Sequence, residues 1–322
     1  MPCVDMPLEK LKQYQGTNPR PADFDAFWDA SLAELQAIDP KVQLKPFGLK
    51  SKLADCYELT FTSSKGARIY AKLVKPKNIN GKAPALLQFH GLSVDSGDWA
   101  GLLKDASQGY VVAAMDSRGQ GGYSEDVGGT LGSTYSTPFS RGLDGDPKDM
   151  YCRNLFLDTA MLARVVMNFD FVDETRVAAT GSSQGGGLAI ACAALVPEIR
   201  LCAASYPYLS DYKRVYDMDL NKGAYEGIRY YFRSFDPTHA REDEVFTKLG
   251  YIDIQHLAPR IRAKVLMATG LMDTTCPPST QFAVYNKIKS EKQIEIYPDY
   301  AHENAKGRDD LFFNFLADLA DC

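Results

Sequence analysis

The pentapeptide G-S-S-Q-G at residues 181–185 constrains the fold of this 322-residue chain more than any other feature. It follows a β-strand-like run at 176–180 and precedes a small-residue stretch at 186–196 that is typical of a helix. A serine between glycines at a strand–helix junction is typical of a sharp turn that exposes the hydroxyl. Ser183 is the candidate nucleophile, and the backbone N–H of Gln184 is a candidate oxyanion donor. The alternative is a glycine-rich turn without chemistry.

Histidine is scarce, which leaves few candidates for a base. Of the four histidines, only His302 lies C-terminal to Asp273. In one common arrangement the order is serine, acid, histidine, and the acid and histidine follow successive strands. Asp273 follows the apolar run 264–270, and His302 follows the run 293–298. Asp273 and His302 are therefore the candidate acid and base. Asp299 is the rival acid, and we expect it to be a turn residue.

A second oxyanion donor is expected from the loop after an earlier strand. The run 85–89 predicts that strand, and an H-G-L segment follows it. The backbone N–H of Leu92 is the candidate donor, and we expect His90 to brace the loop. His239 and His256 are interpreted as surface or packed residues.

The alternation of predicted strands and helices indicates the fold class. From about residue 84 the alternation favours a mostly parallel sheet flanked by helices, preceded by a helical lead-in over residues 1–40 and antiparallel strands over 41–76. With the serine, acid and histidine in this order, the pattern predicts an α/β-hydrolase fold in a single domain over residues 1–322. Residues 211–257 are expected to form a small cap insertion.

One long connection and the cysteines add two further expectations. Residues 121–148 are rich in glycine, serine, threonine and aspartate, and we expect a long surface loop there. Seven scattered cysteines without a C-x-x-C motif favour reduced thiols over disulfides or a zinc site. We expect Cys276, close to the candidate acid in sequence, to be a small packed residue.

Composition excludes several classes of protein. The net charge of −5 comes from interspersed acidic and basic residues, which does not indicate a nucleic-acid-binding face. No apolar run reaches the ~20 residues that a transmembrane helix needs, and the N-terminus lacks the pattern of a secretory signal. We therefore expect a cytoplasmic protein that binds neither nucleic acid nor membranes.

The motifs R-G-Q at 118–120, G-x-S-Q-G at 181–185 and H-E at 302–303 together resemble carbohydrate esterase family 7. This family comprises acetyl xylan esterases and cephalosporin C deacetylases. The similarity extends over nearly the whole chain. It also includes the segments 117–122, 206–211, 270–273 and 276–280.

The resemblance implies roles for the candidate residues. Ser183, Asp273 and His302 would form the catalytic triad, and the N–H groups of Leu92 and Gln184 would form the oxyanion hole. The resemblance further implies an intracellular enzyme without metal or cofactor, usually a hexamer with its active sites facing an inner cavity.

The resemblance also implies that Arg118 and Gln120 brace the site, and Tyr206 and Pro207 are expected to shape its pocket. Two residues depart from the family pattern. Leu92 stands where the family usually has tyrosine, and Ser182 where it usually has glycine. A backbone donor survives the first change, but the acyl side of the pocket becomes more apolar.

The predicted function is a serine esterase that removes acetyl groups from acetylated xylo-oligosaccharides and related small esters, including cephalosporin C, through an acyl-enzyme. A general short-chain carboxylesterase without sugar preference is the alternative. A peptidase of the prolyl-oligopeptidase type shares the triad, but 322 residues leave little room for its extra domain. A non-catalytic binding module on the same fold is the alternative from a different class.

Overall fold

The computed structural model of the chain describes residues 4–128 and 137–320. Within these residues, nine strands form one sheet. In chain order the strands are β1 (Gln43–Phe47), β2 (Ala54–Thr62), β3 (Arg68–Pro76), β4 (Ala83–Phe89), β5 (Val111–Met115), β6 (Val172–Ser182), β7 (Leu201–Ser205), β8 (Lys264–Gly270) and β9 (Lys292–Tyr297).

The order of strands across the sheet is β1-β2-β3-β5-β4-β6-β7-β8-β9. The first three strands are antiparallel to their neighbours, and the six strands β4 to β9 run parallel. The predicted α/β-hydrolase fold, with a mostly parallel sheet and an antiparallel N-terminal extension, is confirmed. The carboxyl ends of β4, β6, β7, β8 and β9 lie along one edge, where the candidate residues follow them.

Eleven helices accompany the sheet in the described residues. They are α1 (Leu8–Leu11), α2 (Phe24–Gln36), α3 (Trp99–Ala106), α4 (Tyr151–Met167), α5 (Gln184–Leu195), α6 (Tyr212–Asp217), α7 (Glu226–Phe235), α8 (Glu242–Gly250), α9 (Ile254–Leu257), α10 (Pro278–Lys287) and α11 (Arg308–Ala320). Apolar residues of α3 and α11 pack on one face of the sheet, and those of α2, α4 and α5 pack on the other.

Both faces of the central strands are covered, which explains their composition. All five residues of β5 and all five of β7 are buried. Strands buried on both faces need continuous apolar runs rather than alternation. Helix α5 is also buried along its whole length, and its glycines and alanines let it lie close to the strands.

Residues 211–257, where the sequence predicts a cap insertion, form helices α6 to α9 between β7 and β8, and we use the word cap as a name for this segment. Its base is aromatic. The ring of Phe139 contacts the rings of Tyr208, Tyr212 and Tyr225 at centroid distances between 5.2 and 6.4 Å.

This packing corrects the surface loop expected over 121–148. Phe139 and Leu143 are buried, because the segment lies under the cap aromatics. Residues 129–136 of the expected loop lie outside the described residues.

The helical lead-in consists of α1 and α2. Trp28 of α2 stacks on Phe156 of α4 at 6.0 Å, and its indole N–H donates to the carbonyl of Tyr251 at 3.0 Å. The N-terminal segment is therefore packed onto both the sheet layer and the cap. The carboxylate of Asp211, at the start of the cap, accepts hydrogen bonds from Tyr14 and from the backbone of Thr17.

His256, on α9, is buried against the edge of the Phe24 ring at a centroid distance of 5.8 Å. Burial, assisted by the charge of Lys287, lowers the pKa of His256 from 6.5 to about 3. In the folded chain this imidazole is thus neutral well below the pH at which it gains a proton in the unfolded chain. As pH falls below 6.5 the unfolded state binds more protons, and the folded state loses stability.

We predict that His256 makes folding stability fall with pH by about 1.4 kcal/mol per pH unit in the window between these two pKa values. Urea unfolding of the wild type and of His256→Phe at pH 7.5 and pH 5 measures this contribution. The wild type should lose about 2 kcal/mol more than the variant over this range. Equal losses in the two proteins would contradict the assignment.

Candidate active site

Ser183 lies on the turn between β6 and α5, with φ 57° and ψ −121°. Residues other than glycine rarely adopt this region, so the turn is strained. The N–H of Ser183 donates to the carbonyl of Ser205 at 3.0 Å, and its carbonyl accepts from the N–H of Tyr208 at 3.0 Å. These two bonds to the chain at the end of β7 hold the strained turn in place.

Glycines flank the turn because their neighbours leave no space for a side chain. A Cβ on Gly181 would lie 2.4 Å from the carbonyl group of Gly185. A Cβ on Gly185 would lie 2.0 Å from the carbonyl oxygen of Phe89. Strand β4 and helix α5 therefore meet backbone to backbone. This contact brings the N-terminus of α5 beside the loop that follows β4.

Three side chains that are far apart in sequence form a hydrogen-bonded row. Nε2 of His302 lies 2.9 Å from Oγ of Ser183. Nδ1 of the same ring lies 2.8 Å from Oδ2 of Asp273. Asp273 is fully buried, whereas the side chain of His302 is 21% exposed. The row thus runs from the interior to the accessible edge of the sheet.

The loop after β8 fixes the orientation of the Asp273 carboxylate. Its Oδ1 accepts from the backbone N–H groups of Thr275 and Cys276, both at 2.8 Å. The amide of Gln281, on α10, donates to Oδ2 at 3.3 Å. These donors leave Oδ2 facing the ring of His302. The rival acid Asp299 is exposed, and the carboxylate that contacts the ring is that of Asp273.

Leu92 lies in the loop after β4, and His90 fixes the start of that loop. Nε2 of His90 accepts from the N–H of Ser117 at 2.8 Å, and Nδ1 lies 2.6 Å from the carbonyl oxygen of Gly91. Burial lowers the pKa of His90, so the neutral ring accepts at one nitrogen and donates at the other. This geometry agrees with the expected bracing of the loop.

Gln184 is the first residue of α5, so its backbone N–H belongs to the free helix N-terminus. Its buried side chain exchanges hydrogen bonds with the amide of Gln120 at 2.9 and 3.1 Å. Gln120 also accepts from the N–H of Ser93 at 2.8 Å and donates to the hydroxyl of Tyr151 at 2.9 Å. Gln120 therefore ties the loop that carries Leu92 to the helix that carries Gln184.

Arg118 forms a buried ion pair with Asp158 of α4. Two guanidinium nitrogens, Nε and Nη2, each donate to a carboxylate oxygen at 2.6 Å, and both side chains are almost fully buried. Burial alone would lower the pKa of Arg118, but the charge and hydrogen bonds of Asp158 outweigh it and raise that pKa. The carbonyl of Arg118 accepts from the hydroxyl of Tyr151 at 2.6 Å. The pair lies under the loop that carries Gln120 and contacts none of the three side chains of the row.

Tyr206 and Pro207 follow β7 and border the row. The ring of Tyr206 lies 4.7 Å from the ring of His302, centroid to centroid, at an interplanar angle of 61°. The Cα of Pro207 is 3.3 Å from where a Cβ on Gly186 would lie, so it packs against the start of α5.

The remaining histidines lie elsewhere. His239 stacks on Phe232 of the cap and is partly exposed, and His256 is packed at the base of the cap. Cys276 is fully buried, and its side chain is a free thiol.

The sequence reasoning missed two side chains at this site, Asn304 and Arg308. Asn304 accepts a hydrogen bond from the hydroxyl of Tyr206, and Arg308 donates to Asn304 and to the hydroxyl of Ser182. Their segment carries no recognisable motif beyond the H-E pair, so only the fold brings them to the site.

The described residues give no indication of a metal ion. Across residues 4–128 and 137–320, no group of three or more histidine, cysteine or acidic side chains is arranged to hold one. In the same ranges, no helix combines the length and apolarity required to cross a lipid bilayer.

The fold and this arrangement of side chains define the class as α/β hydrolase, and comparison with known proteins narrows it. Acetyl xylan esterase 1 from Thermoanaerobacterium sp. JW/SL YS485 is 55% identical, with a TM-score of 0.96, and the match covers 98% of this chain and 99% of that chain. The acetyl xylan esterase from Paenibacillus sp. R4 is 33% identical, with a TM-score of 0.92, covering 97% and 99%.

A sequence model of the acetyl xylan esterase family, AXE1, matches residues 1–319. The chain belongs to this family of carboxylic ester hydrolases, which confirms the resemblance inferred from the motifs. The acetyl esterase Axe7A of Xylanibacter ruminicola is 28% identical over 306 residues, which are 91% of this chain. The chain spans 65% of the length of that curated relative.

The buried pair of Arg118 and Asp158 makes a prediction about stability. Asp158→Leu leaves a buried guanidinium without its partner, and we expect a loss of about 3–5 kcal/mol in the free energy of unfolding. The double variant Arg118→Met/Asp158→Leu removes both charges and should recover most of that loss. Urea unfolding of the wild type, Asp158→Leu, Arg118→Met and the double variant gives the four free energies of this double-mutant cycle. A loss in the double variant that equals the sum of the two single losses would contradict pairing.

Proposed function

We propose that this chain is a serine esterase that removes acetyl groups from acetylated xylo-oligosaccharides and related small acetyl esters, including cephalosporin C. The observation that carries the proposal is the row of Ser183, His302 and Asp273, joined at 2.9 and 2.8 Å on a strained strand–helix turn. Membership of the acetyl xylan esterase family supports the acetyl ester as substrate.

The first step is attack by Ser183 on the acetyl carbonyl carbon. A neutral hydroxyl is a poor nucleophile, so His302 accepts its proton at Nε2 as the C–O bond forms. Asp273 holds the imidazole in the tautomer whose Nε2 is free to accept, and it stabilises the imidazolium that results. The short contacts on both sides of the ring support these roles.

The negative charge that develops on the carbonyl oxygen rests on the backbone N–H groups of Leu92 and Gln184. The free N-terminus of α5 favours negative charge at this position. The bonds of His90 and Gln120 hold the two donor segments together before the substrate binds, which is the preorganisation that such a hole needs.

The tetrahedral intermediate collapses when His302 gives its proton to the leaving sugar oxygen. The alcohol departs and leaves an acetyl-enzyme on Ser183. His302 then removes a proton from water, which attacks the acetyl carbonyl, and acetate leaves as the serine is reprotonated. The mechanism balances without a metal or a cofactor, and we propose none.

Four further residues have supporting roles in this proposal. Arg118 and Gln120 brace the site through their buried pair and amide exchange, and Tyr206 and Pro207 shape the pocket beside the imidazole. Leu92 presents an aliphatic side chain where the family usually has tyrosine, so the acyl side of the pocket is more apolar.

We further propose that the described fold is one α/β-hydrolase domain and that the protein acts in the cytoplasm as a homohexamer. The five described cysteines are free thiols, which supports a reducing compartment. The hexamer rests on the resemblance to the family. Size-exclusion chromatography with light scattering measures it.

Ser183→Ala should abolish hydrolysis of p-nitrophenyl acetate. Loss of the serine removes the acyl-enzyme route, and in a serine protease such a loss costs about 10⁶ in kcat. The variant should keep the circular dichroism spectrum and melting temperature of the wild type, because alanine removes only the hydroxyl. Activity near the wild-type level in Ser183→Ala would refute the mechanism.

Substrate preference separates the proposal from a general carboxylesterase. We expect kcat/KM for an acetylated xylo-oligosaccharide to exceed that for a simple alkyl acetate of matched leaving-group pKa, because sugar contacts add binding in the transition state. Acetate release by purified protein measures both. Equal kcat/KM values for the two acetates, or a higher kcat/KM for butyrate esters than for the matching acetates, would favour the esterase without sugar preference.

A further inference from the structure

The imidazole of His302 lies on a segment without regular secondary structure, between the end of β9 and the start of α11. Its two ring nitrogens are held by Asp273 and Ser183 at opposite ends of the ring. Contacts at the two ends of a ring leave it free to tilt about the line that joins them. Something else must fix the plane of this ring.

A third contact of this ring comes from Tyr206. Its ring packs against the imidazole at 4.7 Å, and its own backbone is held at φ 33° by a bond from its N–H to the carbonyl of Ala268 at 2.7 Å. The phenol hydroxyl donates to Oδ1 of Asn304 at 2.8 Å. Asn304 is two residues beyond His302, in the loop over residues 298–307 that we call the histidine loop. The bond therefore ties this loop to the Tyr206 ring, which packs on the imidazole.

Arg308, the first residue of α11, connects the histidine loop to the nucleophile turn. Its guanidinium donates to Oδ1 of Asn304 and, at 3.3 Å, to the hydroxyl of Ser182. The Arg308 side chain is 89% buried and lies over the ring of Phe312 at 5.3 Å. This residue therefore bridges the segment that carries the base and the segment that carries the nucleophile.

We propose that Tyr206, Asn304, Arg308 and Ser182 form a positioning clamp, which sets the plane of the His302 imidazole relative to the hydroxyl of Ser183. The inference deepens the proposed function and rests on it. None of the four residues takes or gives a proton in the reaction. Ser182 gives the clamp a contact that glycine, the usual residue of the family at this position, cannot make.

The expected effect follows from the geometry of proton transfer. A general base acts within hydrogen-bond reach of the proton, and a displacement of about 1 Å can cost 10²-fold in rate. Loss of the clamp leaves the triad residues present but lets the ring tilt. The clamp acts on the step in which the proton moves, so kcat should fall while KM stays nearly constant.

The experiment uses the full chain with p-nitrophenyl acetate as substrate. Arg308→Met should lower kcat about 10-fold with KM within about 2-fold of the wild type, and Arg308→Lys, which keeps the charge and a donor, should be intermediate. Arg229→Met, at a partly exposed arginine on α7 that pairs with Asp219, is the matched control and should keep wild-type kinetics.

Two milder variants test the clamp without removing a large side chain. Tyr206→Phe and Ser182→Ala each delete one hydroxyl and should lower kcat about 3-fold or more, while Ser107→Ala, an exposed serine on the C-terminal side of α3, should not. The double variant Tyr206→Phe/Arg308→Met should be no slower than the slower single variant, because coupled residues are not additive.

The possible outcomes are distinct. An inactive wild type would refute the proposed function itself. An active wild type with unchanged kcat in Arg308→Met or in Tyr206→Phe would refute the clamp alone. Strictly multiplicative losses in the double variant, or a rise in KM with kcat unchanged, would also refute it.

Discussion

The structure of the site depends on the backbone contact between the end of β4 and the start of α5. Only glycine at 181 and 185 allows it, because a Cβ at either position would overlap a carbonyl group. The contact fixes the strained turn of Ser183 and brings the N-terminus of α5 against the loop of Leu92. One close approach of main chains thus positions both the proposed nucleophile and the N–H groups that we propose stabilise the developing charge.

Around this contact the side chains form two separate sets of supports. Gln120 and the buried pair of Arg118 and Asp158 hold the loops on the side of β4 and β5. Tyr206 and Arg308 act on the other side, where the histidine loop leaves β9. The sheet supplies the common edge, and the supports join the loops that leave it to one another and to helices α4 and α5. Side-chain contacts therefore hold the site together, although most of its residues lie outside helices and strands.

The sequence predicted those parts of this arrangement that depend on local pattern or chain order. Residues 264–270 have the strand bounds that their apolar run indicates, and the order of Ser183, Asp273 and His302 led to a row that the fold brings within hydrogen-bonding distance. Contacts between distant segments could not be predicted in this way. Spacing and periodicity do not predict the pairing of Arg118 with Asp158, the burial of Phe139 under the cap or the bridge made by Arg308. Each of these contacts depends on how separate elements pack.

Covalent labelling by phenylmethylsulfonyl fluoride measures whether His302 activates the hydroxyl of Ser183, as we propose. We expect one equivalent of bound reagent to abolish the activity of the wild type, with the added mass located by peptide mass spectrometry on Ser183 and not on Ser182. We expect His302→Ala to be labelled far more slowly, because its serine lacks a base. Modification of another serine, or equal rates of labelling with and without the imidazole, would contradict this role of His302.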